Sequence, residues 1–223
     1  MENSTAFSLL ELFKLGGIFM WPLLVFSVVG MAIILDRVLY LSRHKLQIDE
    51  LASKVLDCIQ KGDIKPAAGF LGPLTDRSMG AKVLFALVNH SDLSEDRLEK
   101  AVETEALGCI NSLESGFNFL TAIGSLAPLT GFLGTVSGMI SAFRSIAEAT
   151  EVNAQIVANG IYEALITTVF GLIIAIVAMS GYYVLTSFVD RFSVRTEQAC
   201  SELIIALTRN KEHAASREES HAD

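Results

Sequence analysis

Three stretches of this chain, Leu15–Leu35, Ser115–Phe143 and Ala164–Val189, contain no Asp, Glu, Lys or Arg. A helix needs about 20 residues to cross a hydrocarbon core of about 30 Å, so each stretch is long enough to span a bilayer. A single such run can be a buried core helix. Three of them in 223 residues leave too little polar sequence to cover them, and the chain is 51% hydrophobic with a mean hydropathy of +0.46. The sequence therefore predicts an all-α membrane protein with three transmembrane helices. Its expected parts are an N-terminal amphipathic segment (1–16), a first span (17–41), a helical domain (42–114), a second span (115–143), a short link (144–159), a third span (160–189), a continuing helix (190–210) and a disordered tail (211–223).

The first run is not expected to be a cleaved signal peptide. Glu2 and Glu11 outweigh Lys14 ahead of it, and no small-x-small site precedes Asp36. Orientation follows from the basic residues near the spans. Arg37, Arg43 and Lys45 follow the first, Arg191 and Arg195 follow the third, and the link between the second and third holds only Arg144. Lys and Arg collect on the cytoplasmic side, so the N-terminus and the link are expected outside, with 42–114 and the C-terminus inside. Cys58, Cys109 and Cys200 form no C-x-x-C pair, and His44, His90, His213 and His221 lack metal-ligand spacing, so no metal or cofactor is expected. A net charge of −8 offers no basic patch for nucleic acid. No nucleophile–base set or phosphate loop points to an enzyme.

Outside the spans the apolar residues recur at helical spacing. Ile48, Leu51, Val55, Leu56 and Ile59 mark one helix ending at Gly62. Pro66, Gly69, Gly72 and Pro73 read as breakers, and a second helix follows from about Ser78 to His90. Ser94 has the character of an N-cap, with Glu95 and Asp96 in the first turn. From Leu98 one register runs through Val102, Ala106, Ile110, Leu113, Phe117 and Leu120 into Gly124, Pro128, Gly131, Thr135, Gly138 and Ala142. That predicts one helix of about 48 residues, roughly 70 Å long, kinked near Pro128. The third span continues through Phe192, Thr196, Cys200, Leu203 and Leu207, and the tail from Lys211 has no apolar period.

The second span carries Gly124, Pro128, Gly131, Gly134, Thr135, Gly138 and Ala142 on one side, and the third carries Gly160, Ala164, Thr167, Gly171, Ala175, Ala178 and Gly181. Small residues let helices in lipid touch closely, so these two spans should pack inside, with the bulkier first span facing lipid. Spacing alone fits a compact monomer as well as an oligomer. The number of hydroxyls (Thr121, Ser125, Thr130, Thr135, Ser137, Ser141, Thr167, Thr168) favours a wet path between copies. Glu163 borders the third span. An acid there is either a functional group or an interfacial carboxylate reaching water. Asp36 and Arg37 read as an interfacial pair. No carboxylate or histidine lies deep in the spans, so a proton path would need a carboxylate from another polypeptide.

These residues resemble a known family. The segments GGIFMWPLLVFSVVGMAIILDRVLYL, LTAIGSLAPLTGFLGTVSGMISAF and GIYEALITTVFGLIIAIVAMSGYY are similar, in order, to the three spans of ExbB- and TolQ-like members of the MotA/TolQ/ExbB proton channel family. The resemblance implies a pentamer in the bacterial inner membrane. Its second and third spans enclose the single-span helices of an ExbD- or TolR-like partner, whose membrane aspartate carries protons, and a TonB- or TolA-like protein stands beyond it. Proton-motive force then drives work, either TonB-dependent import (ExbB-like) or envelope integrity (TolQ-like). A MotA stator resembles a longer chain with four spans. A non-conducting scaffold of partner helices would keep the glycine face without needing the threonines or Glu163. Carried over, the path residues are Thr135, Thr168 and Glu163, with Thr167 beside them, and the packing residues are Pro128, Gly131, Gly134, Gly138 and Gly171. Glu163 and Thr168 lie about 140° apart around a straight helix, whereas Thr167 stacks over Glu163. The proline that ExbB-like chains often carry midway in the third span is Val177 here, which implies a straighter helix.

Overall fold

A computed structural model describes residues 13, 16–44, 48–148 and 154–222. The predicted N-terminal amphipathic segment (1–16) therefore lies outside the described residues, apart from Phe13 and Gly16. The chain is helical in α1 (Met20–Arg43), α2 (Asp49–Gln60), α3 (Lys65–Leu71), α4 (Met79–Asn89), α5 (Glu95–Glu114), α6 (Phe117–Glu148) and α7 (Ala154–Ala222), with a 3₁₀ turn at Gly72–Leu74. No strand occurs among the described residues. Three regions, Met20–Arg43, Glu95–Glu148 and Gly160–Lys211, are long and apolar enough to cross a membrane. The protein is a membrane protein.

Local chemistry sets the helix ends. The Ser78 hydroxyl accepts from the Ala81 amide and caps α4. Gly62, with φ +78°, ends the α2 region at a conformation that residues with a Cβ rarely adopt. Ser94 starts α5 as expected, but through its carbonyl, which accepts from Arg97 and Leu98, and without a capping bond from its side chain. The segment expected to be broken by Pro66 and Gly69 is instead the short helix α3. Pro66 sits in the first turn, where a missing N–H removes no intrahelical bond.

Two further expectations change. The register from Leu98 to Ala142 is divided at Ser115–Gly116. Ser115 has ψ 127° and Gly116 has φ +88°, so α5 ends there and α6 begins with Phe119 and Leu120 bonding back to the Gly116 carbonyl. Periodicity does not register this joint, because apolar spacing in the sequence does not report whether the backbone stays helical. Pro128 lies inside the continuous helix α6. The tail expected to be disordered is helical backbone through Ala222. Its Lys, Glu, Ala and Arg residues favour helix without needing an apolar face.

The chain forms two compact units, 1–36 with 116–184, and 37–115 with 185–223. In the first, α1 buries only Met20, Leu23 and Gly30, while α6 buries a full stripe from Phe117 through Ile123, Ala127, Gly131 and Gly134 to Ala142. Met20, Leu23, Ala127 and Ile166 form its apolar centre, flanked by Phe26, Phe170 and Ile174. Trp21, Val25, Val28, Phe132, Ile140 and Ile176 stay exposed, as lipid-facing side chains do. In the second unit, Ile48, Val55, Ile59, Leu71, Leu84, Leu87, Leu98 and Leu203 are buried. Lys82 pairs with Glu105 at 2.7 Å and Arg195 with Asp49 at 3.1 Å. The Asn210 amide donates to the Ile59 carbonyl, and Lys211 donates to the Leu93 carbonyl at 3.0 Å.

Candidate functional site

The α6–α7 contact in the first unit is made of backbone. A Cβ built on Gly131 would stand 2.8 Å from the Thr167 carbonyl oxygen and 3.1 Å from Thr168 Cα. One on Gly171 would stand 2.6 Å from the Ala127 carbonyl oxygen, and one on Gly138 would be 3.1 Å from both the Gly160 carbonyl oxygen and Ala164 Cβ. At Gly134 the Thr167 side chain fills the space. The four predicted packing glycines thus all serve contact between two helices of one chain, and the half-buried Pro128 follows the buried Ala127 on the same helix. This close approach is what brings the threonines together.

Thr135 on α6 and Thr168 on α7 share a hydroxyl–hydroxyl hydrogen bond. Thr135 also donates toward the Ala164 carbonyl at 3.1 Å and the Gly131 carbonyl at 3.3 Å, while Thr168 reaches the Gly131 carbonyl at 3.2 Å. Each hydroxyl has one proton and two lone pairs. If one threonine donates to the other and the second donates to a carbonyl, both protons are used and acceptor capacity remains on the pair. Both residues are half-buried. The site can therefore hold a water molecule or accept from a protonated carboxyl.

Thr167, expected beside the path, is 1% exposed and donates to the Ala164 carbonyl at 2.8 Å. Its place is inside the helix pair. Glu163 is half-buried, and its carboxylate occupies the space next to Gly17, whose φ of +66° and missing Cβ leave room for it. The structure brings together Thr135, Thr167 and Thr168. Glu163 instead meets Gly17, as the angular offset from Thr168 anticipates. Gly17 and the accepting carbonyls of Gly131 and Ala164 escaped the sequence reading. Gly160 and Ala164 do carry a signal, the four-residue spacing of small residues facing Gly138. The hydroxyl excess has a local explanation as well. Thr121, Ser125 and Thr130 each donate to the carbonyl four residues earlier, so they need no wet path.

Away from the spans the cysteines are free thiols. Burial pushes Cys200 up to about 12. Burial also raises Cys109, with Lys82 opposing the shift. No three His, Cys, Asp or Glu side chains are grouped to hold a metal ion among the described residues.

The sequence profile of the MotA/TolQ/ExbB proton channel family matches residues 74–198, which include the threonine pair, all of α6 and α7 as far as residue 198. The chain belongs to this family. It is 33% identical over 187 residues to an ExbB-like biopolymer transport protein of Synechocystis, covering 80% of this chain and 71% of that one. It is 28% identical over 185 residues to the biopolymer transport protein ExbB of Salmonella typhimurium, covering 79% and 72%. Against the Tol-Pal system protein TolQ of Pseudomonas aeruginosa it is 41% identical over 85 residues, 38% of this chain and 34% of that one. The chain spans about a third of the TolQ relative and a similar share, 35%, of the ExbB of Pseudomonas putida.

Proposed function

We propose that this chain is the ring-forming subunit of a proton-motive-force-driven motor in the bacterial inner membrane. A pentamer of it encloses the membrane helices of an ExbD- or TolR-like partner, and the partner's carboxylate carries the proton. The N-terminus faces the periplasm and the C-terminus the cytoplasm, in keeping with the Lys and Arg residues beside the first and third spans. The observation that carries the reading is the Thr135–Thr168 pair, two half-buried hydroxyls joined across α6 and α7 with acceptor capacity to spare. A hydroxyl pair can take a hydrogen bond from a protonated acid and return it without ionising itself. Glu163, at the beginning of the third span, serves as a separate acidic group on the periplasmic side. The output is TonB-dependent import in an ExbB-like system. The TolQ-like alternative, envelope integrity, has the support of the 85-residue match to a TolQ protein at 41% identity.

The test is Thr135→Val and Thr168→Val, which keep shape and remove the hydroxyl. Each variant should co-purify with the single-span partner in unchanged amount, while proton-motive-force-dependent uptake or envelope integrity falls at least tenfold. Normal work output from both variants would remove the hydroxyl pair from the mechanism and leave a scaffold.

A further inference from the structure

The hydroxyls of Thr135, Thr167 and Thr168 meet the same two carbonyls, those of Gly131 and Ala164. Thr167 lies 2.8 Å from the Ala164 oxygen and 3.4 Å from the Gly131 oxygen. Thr135 lies 3.1 Å from Ala164 and 3.3 Å from Gly131, and Thr168 lies 3.2 Å from Gly131. Each hydroxyl has one proton to give, and each carbonyl oxygen has two lone pairs. Inside a helix one lone pair is taken by the amide four residues on. Gly131 therefore accepts from the Thr135 N–H on α6, and Ala164 from the Thr168 N–H on α7. One place remains on each carbonyl, with three hydroxyl protons to fill them.

Thr167 takes the place on Ala164. Its 2.8 Å bond is the shortest of these contacts and near the optimum for O–H···O, whereas its 3.4 Å contact with Gly131 is beyond the usual range. The side chain is also held where it is. It is 1% exposed and packs against Gly134, where a Cβ would stand 2.4 Å from the Thr167 hydroxyl oxygen. Only the place on Gly131 is left for Thr135 and Thr168, and their distances to it, 3.3 and 3.2 Å, are nearly equal. One of them donates to Gly131. The other has only its mate to donate to, which is the hydroxyl–hydroxyl bond across α6 and α7.

We infer that Thr167 is a positioning residue: by occupying the Ala164 carbonyl it obliges the Thr135 and Thr168 hydroxyls to bond to each other. The chain of bonds runs either Thr135 to Thr168 to Gly131 or Thr168 to Thr135 to Gly131. The hydroxyl at its head keeps both lone pairs, so the pair can hand its open acceptor from one helix to the other. Without the Thr167 hydroxyl, Thr135 donates to Ala164 and Thr168 to Gly131. No proton then lies between the two hydroxyl oxygens, and they repel. The functional side of this inference rests on the proposed role of the pair toward the partner's carboxyl, while the order of the bonds does not.

The experiment measures the coupling between Thr135 and Thr168 in the full chain, by reversible unfolding in mixed micelles at rising SDS fraction. Thr135→Val, Thr168→Val and the double variant are compared in the natural, Thr167→Val and Thr167→Ser backgrounds. In the natural background the coupling should amount to about fivefold in the unfolding constant, the size of one neutral hydrogen bond. It should vanish with Thr167→Val and survive with Thr167→Ser, which keeps the hydroxyl. A merely structural Thr167 would lower stability throughout the set and leave the coupling unchanged, and that result overturns the inference. In cells, Thr167→Val should co-purify with the single-span partner in unchanged amount while proton-motive-force-dependent work falls about fivefold. Normal work from Thr167→Val beside a failing Thr135→Val overturns the inference as well. If all three valine variants work normally, the motor role of the pair fails, while the coupling still decides the order of the bonds. Should Thr167→Val not fold, Thr167→Ala removes the same hydroxyl and takes its place.

Discussion

Replacing Gly131 by alanine tests how α6 and α7 are held together. The added Cβ would lie 2.8 Å from the Thr167 carbonyl oxygen, 3.1 Å from Thr168 Cα and 3.4 Å from Gly171 Cα. Carbon atoms prefer separations of about 3.5–4.0 Å, so the Thr168 contact is short by roughly half an ångström. All three neighbours are backbone and cannot rotate aside. The helices must part, and a gap of 0.5–1 Å forfeits about a quarter to a half of each dispersion contact along the line. Overpacking of this kind costs about 1–3 kcal/mol, offset by up to about 1 kcal/mol of better helix propensity, so a net loss of about 1–2 kcal/mol is expected. Two other glycines calibrate the number. Gly108→Ala meets nothing within 4 Å on a helix and should stabilise by about 0.5–1 kcal/mol. Gly124→Ala meets only the movable Met179 side chain and should fall between the two. The assay is reversible unfolding in mixed micelles at rising SDS fraction, followed by circular dichroism. If Gly131→Ala unfolds at or above the midpoint of Gly108→Ala, the backbone contact is not what joins these helices.

Gly17→Ala faces two penalties, a Cβ at φ +66° and an overlap with the Glu163 carboxylate. It should destabilise by about 1–2 kcal/mol, and Glu163→Gly in the same chain should recover part of that loss in the same unfolding assay. Cys200, with burial raising its thiol to about 12, stays protonated in the folded chain at pH 8. Iodoacetamide should therefore label it only after unfolding, and the folded state should lose stability as pH rises from about 9 toward 12, because the unfolded thiol gives up its proton first. Labelling of native protein at pH 8 would refute the burial.

Much of the fold was legible because the bilayer imposes length and charge rules on each span separately. The three spans, the end of α2 at Gly62 and the start of α4 near Ser78 all follow from a few neighbouring residues. The joint at Ser115–Gly116 escaped because periodicity reports which face is apolar, not whether the backbone stays helical. Helix α3 escaped because proline in a first turn looks the same in sequence as proline in a loop. At the site, the meeting of Thr135 with Thr168 follows from the glycines that let α6 and α7 touch. The burial of Thr167 needed the helix rotation, which spacing fixes only to within a residue. Gly17 could not be found that way, because its partner Glu163 lies far along the chain and the contact depends on a positive φ.

Packing between α6 and α7 without intervening long side chains also limits how these helices can move. Flexible side chains normally cushion sliding, giving one helix many small steps past another. Here carbonyls and Cα atoms meet directly at Gly131, Gly138 and Gly171, so any small slide drives backbone into backbone. The two helices form a single moving part in the first unit. Play remains on the opposite faces, where Leu126, Phe132 and Ile140 on α6 and Leu165, Val169 and Ile176 on α7 are exposed and have rotamers to trade. In the ring proposed above, a neighbour would meet those soft surfaces, while the threonine pair stays fixed within the rigid part.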